Sequence, residues 1–125
     1  MRNMLIHLVA AISLLAVTQP AQSEETLSGD QVKALISGKT IYVTVIKNGK
    51  TWKMYHGPDG ISVNSGGKEG KWYISEKGEH CNELVKKAKF KCARIVDMKD
   101  GTYERVSSDG ERLVKWTRII DGKDL

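Results

Sequence analysis

The sequence predicts a mainly β protein, an antiparallel meander forming a small barrel or sandwich, with one short N-terminal helix. Three observations carry this. Stretches rich in β-branched and aromatic residues alternate apolar and polar positions, the period of a half-buried strand. Turn signals recur at roughly ten-residue intervals, at Asn48-Gly49, Pro58-Asp59-Gly60, Asp100-Gly101, Asp109-Gly110 and Asp121-Gly122, a spacing typical of all-β domains. Only one stretch reads convincingly as a helix.

In chain order, residues 1–23 read as a secretory signal peptide. Arg2 supplies the positive start, Leu5 to Val17 is apolar apart from His7 and Ser13, and small residues at Ala21 and Ser23 suit a signal peptidase. The run is shorter than the ~20 residues a spanning helix needs. No later stretch is apolar enough to cross a membrane, and no cysteine follows the run to carry a lipid anchor. Cleavage is expected near Ser23-Glu24, leaving residues 24–125 as a single β-rich domain in the periplasm or outside the cell. The formal net charge is +5, and Arg2 is the only charge in the leader, so the mature chain stays basic.

The helix starts at Ser28. Its hydroxyl can cap, Gln31 completes a capping box, and Leu27 with Val32 can staple the entry. Asp30 complements the helix dipole, Val32, Leu35 and Ile36 share a face, and Gly38 is placed to end the helix. Strands follow at Thr40–Lys47, Thr51–His56, Ile61–Asn64, Gly70–Ser75, Cys81–Leu84, Phe90–Asp97, Thr102–Ser107 and Arg112–Ile120. In the second, Trp52, Met54 and His56 share one face. In the fourth, Trp72 and Ile74 face away from Lys71, Tyr73 and Ser75. In the last, Val114, Trp116 and Ile120 alternate with Lys115.

The only two cysteines, Cys81 and Cys92, are expected to pair, as cysteines in small exported domains do. Between and just past them lie Lys86, Lys87, Lys89, Lys91 and Arg94. With Ser65 and Lys68 in the Ser65–Glu69 loop, they form the candidate interaction surface. Such a surface suits an envelope protein or an anionic envelope component. A nucleic-acid partner is not expected, because the chain reads as exported and carries no nucleic-acid-binding motif.

Catalytic signatures are missing. No serine sits in a G-x-S-x-G elbow, the Asp-Gly pairs are turn chemistry, and no D-x-D-x-D-G calcium loop occurs. His56 and His80, with Met54 or Asp59, are weak metal candidates that lack a third convincing ligand. No cofactor and no enzymatic activity are expected.

Trp52, Tyr55-His56-Gly57-Pro58-Asp59-Gly60, Gly70-Lys71-Trp72, Cys81, Cys92, Asp100-Gly101-Thr102-Tyr103, Asp109-Gly110 and the ending Arg118 to Leu125 together resemble a family of small exported proteobacterial proteins (domain of unknown function, number nine-nine-five). The likeness covers most of the mature chain. It departs at Gly122-Lys123-Asp124-Leu125, where the family has Gly-Asn-Pro. The resemblance implies an exported protein with no assigned activity, and its cysteine pair maps to Cys81 and Cys92. Gly70-Lys71-Trp72 is also similar to the G-x-W of lipocalins, and Ser65-Gly66-Gly67 to the loop of periplasmic lysozyme inhibitors.

One leading role and three competing classes follow as expectations. The leading one is a small non-enzymatic binding or accessory protein of the envelope. A lipocalin-like ligand binder needs a cavity inside the β structure. An interaction or inhibitor module needs an exposed loop or aromatic patch. An enzyme would need a polar cluster in a cleft, around His56 and His80.

Overall fold

A computed structural model describes residues 23–84 and 89–125. Residues 1–22 and 85–88, the latter including Lys86 and Lys87, lie outside the described residues. A two-residue strand β1 (Glu25–Thr26) precedes helix α1 (Gly29–Ile36). Then come β2 (Lys39–Val45), β3 (Thr51–His56), β4 (Ile61–Asn64), β5 (Glu69–Ile74), β6 (His80–Leu84), β7 (Lys89–Asp97), β8 (Tyr103–Val106) and β9 (Arg112–Asp121).

From β2 to β9 each strand pairs antiparallel with the next, and β9 returns to pair with β2. The result is a closed up-and-down barrel, which leaves none of these eight strands as a free edge. Of the two architectures the sequence allows, barrel and sandwich, the chain takes the barrel. Strand β7 changes partners along its length. Residues up to Ala93 pair with β6, and residues from Arg94 pair with β8. β1 takes the edge that β6 has left, with Thr26 opposite Val96.

Helix α1 plugs one end. The full capping box forms, with the Ser28 hydroxyl accepting from the Gln31 amide and the Gln31 side chain accepting from the Ser28 amide. Gly29 sits so close to Ile74 and Gly78 that a Cβ there would lie 2.9 Å from the Ile74 side chain; the helix can dock on the β5–β6 turn because Gly29 and Gly78 meet there without side chains. Gly38 leaves the helix at φ +75°, as its placement predicts. Val32 and Ile36, fully buried, join Ile41, Val43, Trp72, Ile95 and Trp116 in the core.

One expectation is corrected in β9. The strand carries a bulge across from the Tyr42/Val43 step, so Val43 faces Trp116 and Ile41 faces Ile119. The extra residue reverses the alternation. Ile119, not Ile120, therefore packs against the core.

Cys81 and Cys92 are directly opposed on β6 and β7 and form the disulfide. It closes a short loop, and on the chain-entropy model such a closure contributes about 3 kcal/mol.

Candidate functional site

Directly opposed residues on neighbouring strands point to the same side of a sheet. His56 on β3 lies opposite Ser62, Trp72 opposite Asn82, and Ile74 opposite His80. Register thus sends His56, Trp72, His80 and Asn82 into the barrel together. From the far wall come Trp116 of β9 and Arg105 of β8, opposite Trp116's neighbour-but-one Val114. Residues that are far apart in sequence meet in the middle of the barrel.

The two histidines touch through Nε2 atoms 3.0 Å apart. His56 meets Trp72 edge-on at 5.2 Å between ring centres, and His80 meets Trp116 edge-on at 5.3 Å. Such T-shaped contacts are a favoured aromatic geometry. The Trp72 indole donates to the Gly57 carbonyl at 2.9 Å, which fixes the ring that backs His56. Both imidazoles are 2% exposed. Burial, then the nearby Arg105 charge, pushes the His56 pKa down to about 3. The same two causes, followed by His56, hold His80 well below its ordinary value. Both rings are therefore neutral at neutral pH.

Neutral rings impose a hydrogen-bond rule. One Nε2 donates and the other accepts, so the two Nδ1 atoms are one acceptor and one donor. Among the described residues neither Nδ1 has a partner of hydrogen-bond geometry, and the same is true of Asn82 Oδ1 and Arg105 Nε, while the Met54 backbone lies near enough to His56 to raise its pKa against the effect of burial. Arg105 is 8% exposed. Its Nη2 donates to the carbonyls of His80 and Lys91, each at 3.2 Å. Burial lowers its pKa to about 10, so it stays charged at neutral pH. Buried polar groups without partners are uncommon in folded proteins and call for an explanation.

These groups border a cavity of about 40 Å³, lined by Val43, Trp52, Met54, His56, His80, Asn82, Arg105, Val114 and Trp116. That is room for on the order of three waters. The cavity lies toward the barrel end away from α1. The turns at that end carry Lys47, Lys50 and Lys68, with Asp109 and Glu111 in the β8–β9 turn. Larger hollows of about 400 Å³ lie on the surface, one of them along Tyr42, Thr44, Lys53, Ser65 and Thr117.

The residues singled out from sequence are placed as follows. His56 and His80 come together, but among the described residues no three His, Cys, Asp or Glu side chains converge as a metal set. Ser65 and Lys68 are exposed in the β4–β5 turn, where the Asn64 side chain accepts from the Gly66 and Lys68 amides. Lys91 is exposed on β7 opposite Asn82. Arg94, three residues on, falls on the other face, and its guanidinium donates to the Ser107 carbonyl at 3.2 Å. Lys91 and Arg94 therefore do not share one patch. Lys89 begins β7. Arg105 and Asn82 were not singled out from sequence. Their signal was there: Asn82 shares the parity of His80, and Arg105 that of Tyr103. It becomes readable only once the hairpin registers are known.

Comparison with family models, with curated proteins and with solved structures finds no match for this chain.

Proposed function

We propose that this chain is an exported, non-enzymatic binding protein of the cell envelope, and that the barrel interior is its binding compartment. The observation that carries the reading is a cavity lined by His56, His80, Asn82 and Arg105, each of which has a buried polar atom with no partner among the described residues. Eight strands enclose an interior that side chains can fill or that can hold one small ligand. Here the helix end is filled by apolar side chains, and the polar groups collect deeper in, beside a space. Small-molecule sites have this character: an apolar lining with a few placed polar groups.

Binding is favoured over catalysis by how the histidines are used. Each Nε2 is spent on the other ring, and both bases are held far below their ordinary pKa by burial. A general base works best with a pKa near the operating pH. The export reading rests on the leader-like residues 1–23 and is compatible with the disulfide, since disulfides persist in oxidising compartments.

Native mass spectrometry of the protein purified from its own host compartment tests this. A bound small species that leaves on denaturation is the expected result. A bare native mass equal to the denatured mass would count against a binding compartment.

A further inference from the structure

Arg105 is a buried cation on which the Glu79 carboxylate acts as a counter-charge, from beyond ion-pair distance. Among the described residues the acceptors it engages are two backbone carbonyls. Among the described residues no carboxylate lies within ion-pair distance of it. Residues 1–22 and 85–88 contain no Asp or Glu at all, so they hold no side-chain carboxylate to offer. A buried charge is costly unless it is paired. Water can satisfy the Nε hydrogen, but it supplies no opposite charge.

The geometry points to the cavity beside Arg105 as a site for a small monovalent carboxylate-type anion, held by the guanidinium and by the neutral His56, His80 and Asn82 side chains. This deepens, and rests on, the reading of the barrel interior as a binding compartment. Three features select the class. Charge comes from Arg105, whose planar fork is suited to carboxylates. Size comes from the cavity of about 40 Å³, which admits a few heavy atoms and no more. Among the described residues the histidine pair leaves one Nδ1–H without a partner; the partnerless Asn82 atom is the acceptor Oδ1, so Asn82 donates to an anion there with its amide turned over. A metal cation is disfavoured at the same place, because it would meet the Arg105 charge in a desolvated setting.

The test is a thermal melt of the mature protein in sodium formate, against sodium gluconate at equal ionic strength. Gluconate carries the same charge but is too large for the cavity. Formate should raise the melting temperature saturably, by about 5–10 °C at ten times its dissociation constant, and gluconate should not. Arg105→Gln should lose the formate response. Should that variant fail to fold, Asn82→Asp decides, because it builds a carboxylate into the same wall; it should fold and ignore formate. A flat formate response, an equal gluconate response, or an Asn82→Asp protein that still responds fully would overturn the anion. Native mass spectrometry separates this from the broader reading. A neutral bound species with no formate response sinks the anion and leaves the compartment standing; a bare mass with no formate response sinks both.

Discussion

Lowering the pH from about 7 to about 5 should destabilise the barrel through its two internal histidines. In the unfolded chain a histidine gains its proton near pH 6.5. In the fold, His56 does not do so until about pH 3, and His80 is shifted in the same direction. Between those limits the unfolded state binds more protons than the native one, so stability rises with pH and is lost as pH falls. For His56 the loss at pH 5 is about 2 kcal/mol, from 1.5 units at ~1.4 kcal/mol each. His80 adds to it. Against a typical net stability of ~5–15 kcal/mol this is a large share. Urea unfolding followed by tryptophan fluorescence reads it, since Trp72 and Trp116 are buried beside the imidazoles. With a urea m-value of ~1–3 kcal/mol/M, the midpoint should fall by roughly 1 M or more between pH 7 and 5. His80→Gln should make that dependence shallower. Asp100 and Asp109, held low by hydrogen bonds from Thr102 and Ser107, respond only below pH ~4, outside the window. A midpoint that does not move between pH 7 and 5 would refute neutral, desolvated histidines.

Ser28→Ala removes the hydroxyl that accepts from Gln31 and should cost about 1 kcal/mol in denaturant melts; an unchanged midpoint would mean the cap carries no weight. Trp72→Ala should cost about 3–5 kcal/mol, whereas Trp72→Phe, which mainly loses the indole bond to Gly57, should cost about 1 kcal/mol; equal costs would show that the ring's volume is not what matters. Reducing the Cys81–Cys92 bond should lower stability by about 3 kcal/mol, read as the difference between melts with and without reductant.

Local features were legible in the sequence because they are set by neighbours. The capping box of Ser28 and Gln31, the Asn48-Gly49 and Asp109-Gly110 turns and the alternation around Trp72 all depend on residues a few positions apart, and each stands where expected. The pairing of two cysteines followed from there being only two. Closure was not legible. It joins β2 to β9, Lys39 to Asp121, and no local pattern distinguishes that pairing from a sandwich. The β9 bulge was hidden for a similar reason: it shifts the phase by one residue, so Ile119 and Ile120 trade faces with no change in composition. Strand β1 is too short to have a period. The site fell between these cases. His56 and His80 stood out as residues, but their contact depends on three hairpin registers at once. Arg105 sits in Tyr-Glu-Arg-Val, a stretch with a charge on both faces, where alternation alone does not say which side is inside.

The most direct test is a high-resolution crystal structure of the protein purified from its host compartment, read at one atom, Arg105 Nε. The account predicts density for a small non-water species within hydrogen-bond distance of that nitrogen, inside the space bordered by His56, His80 and Asn82. A guanidinium turned out to solvent, or a cavity closed over by its own side chains, would contradict it.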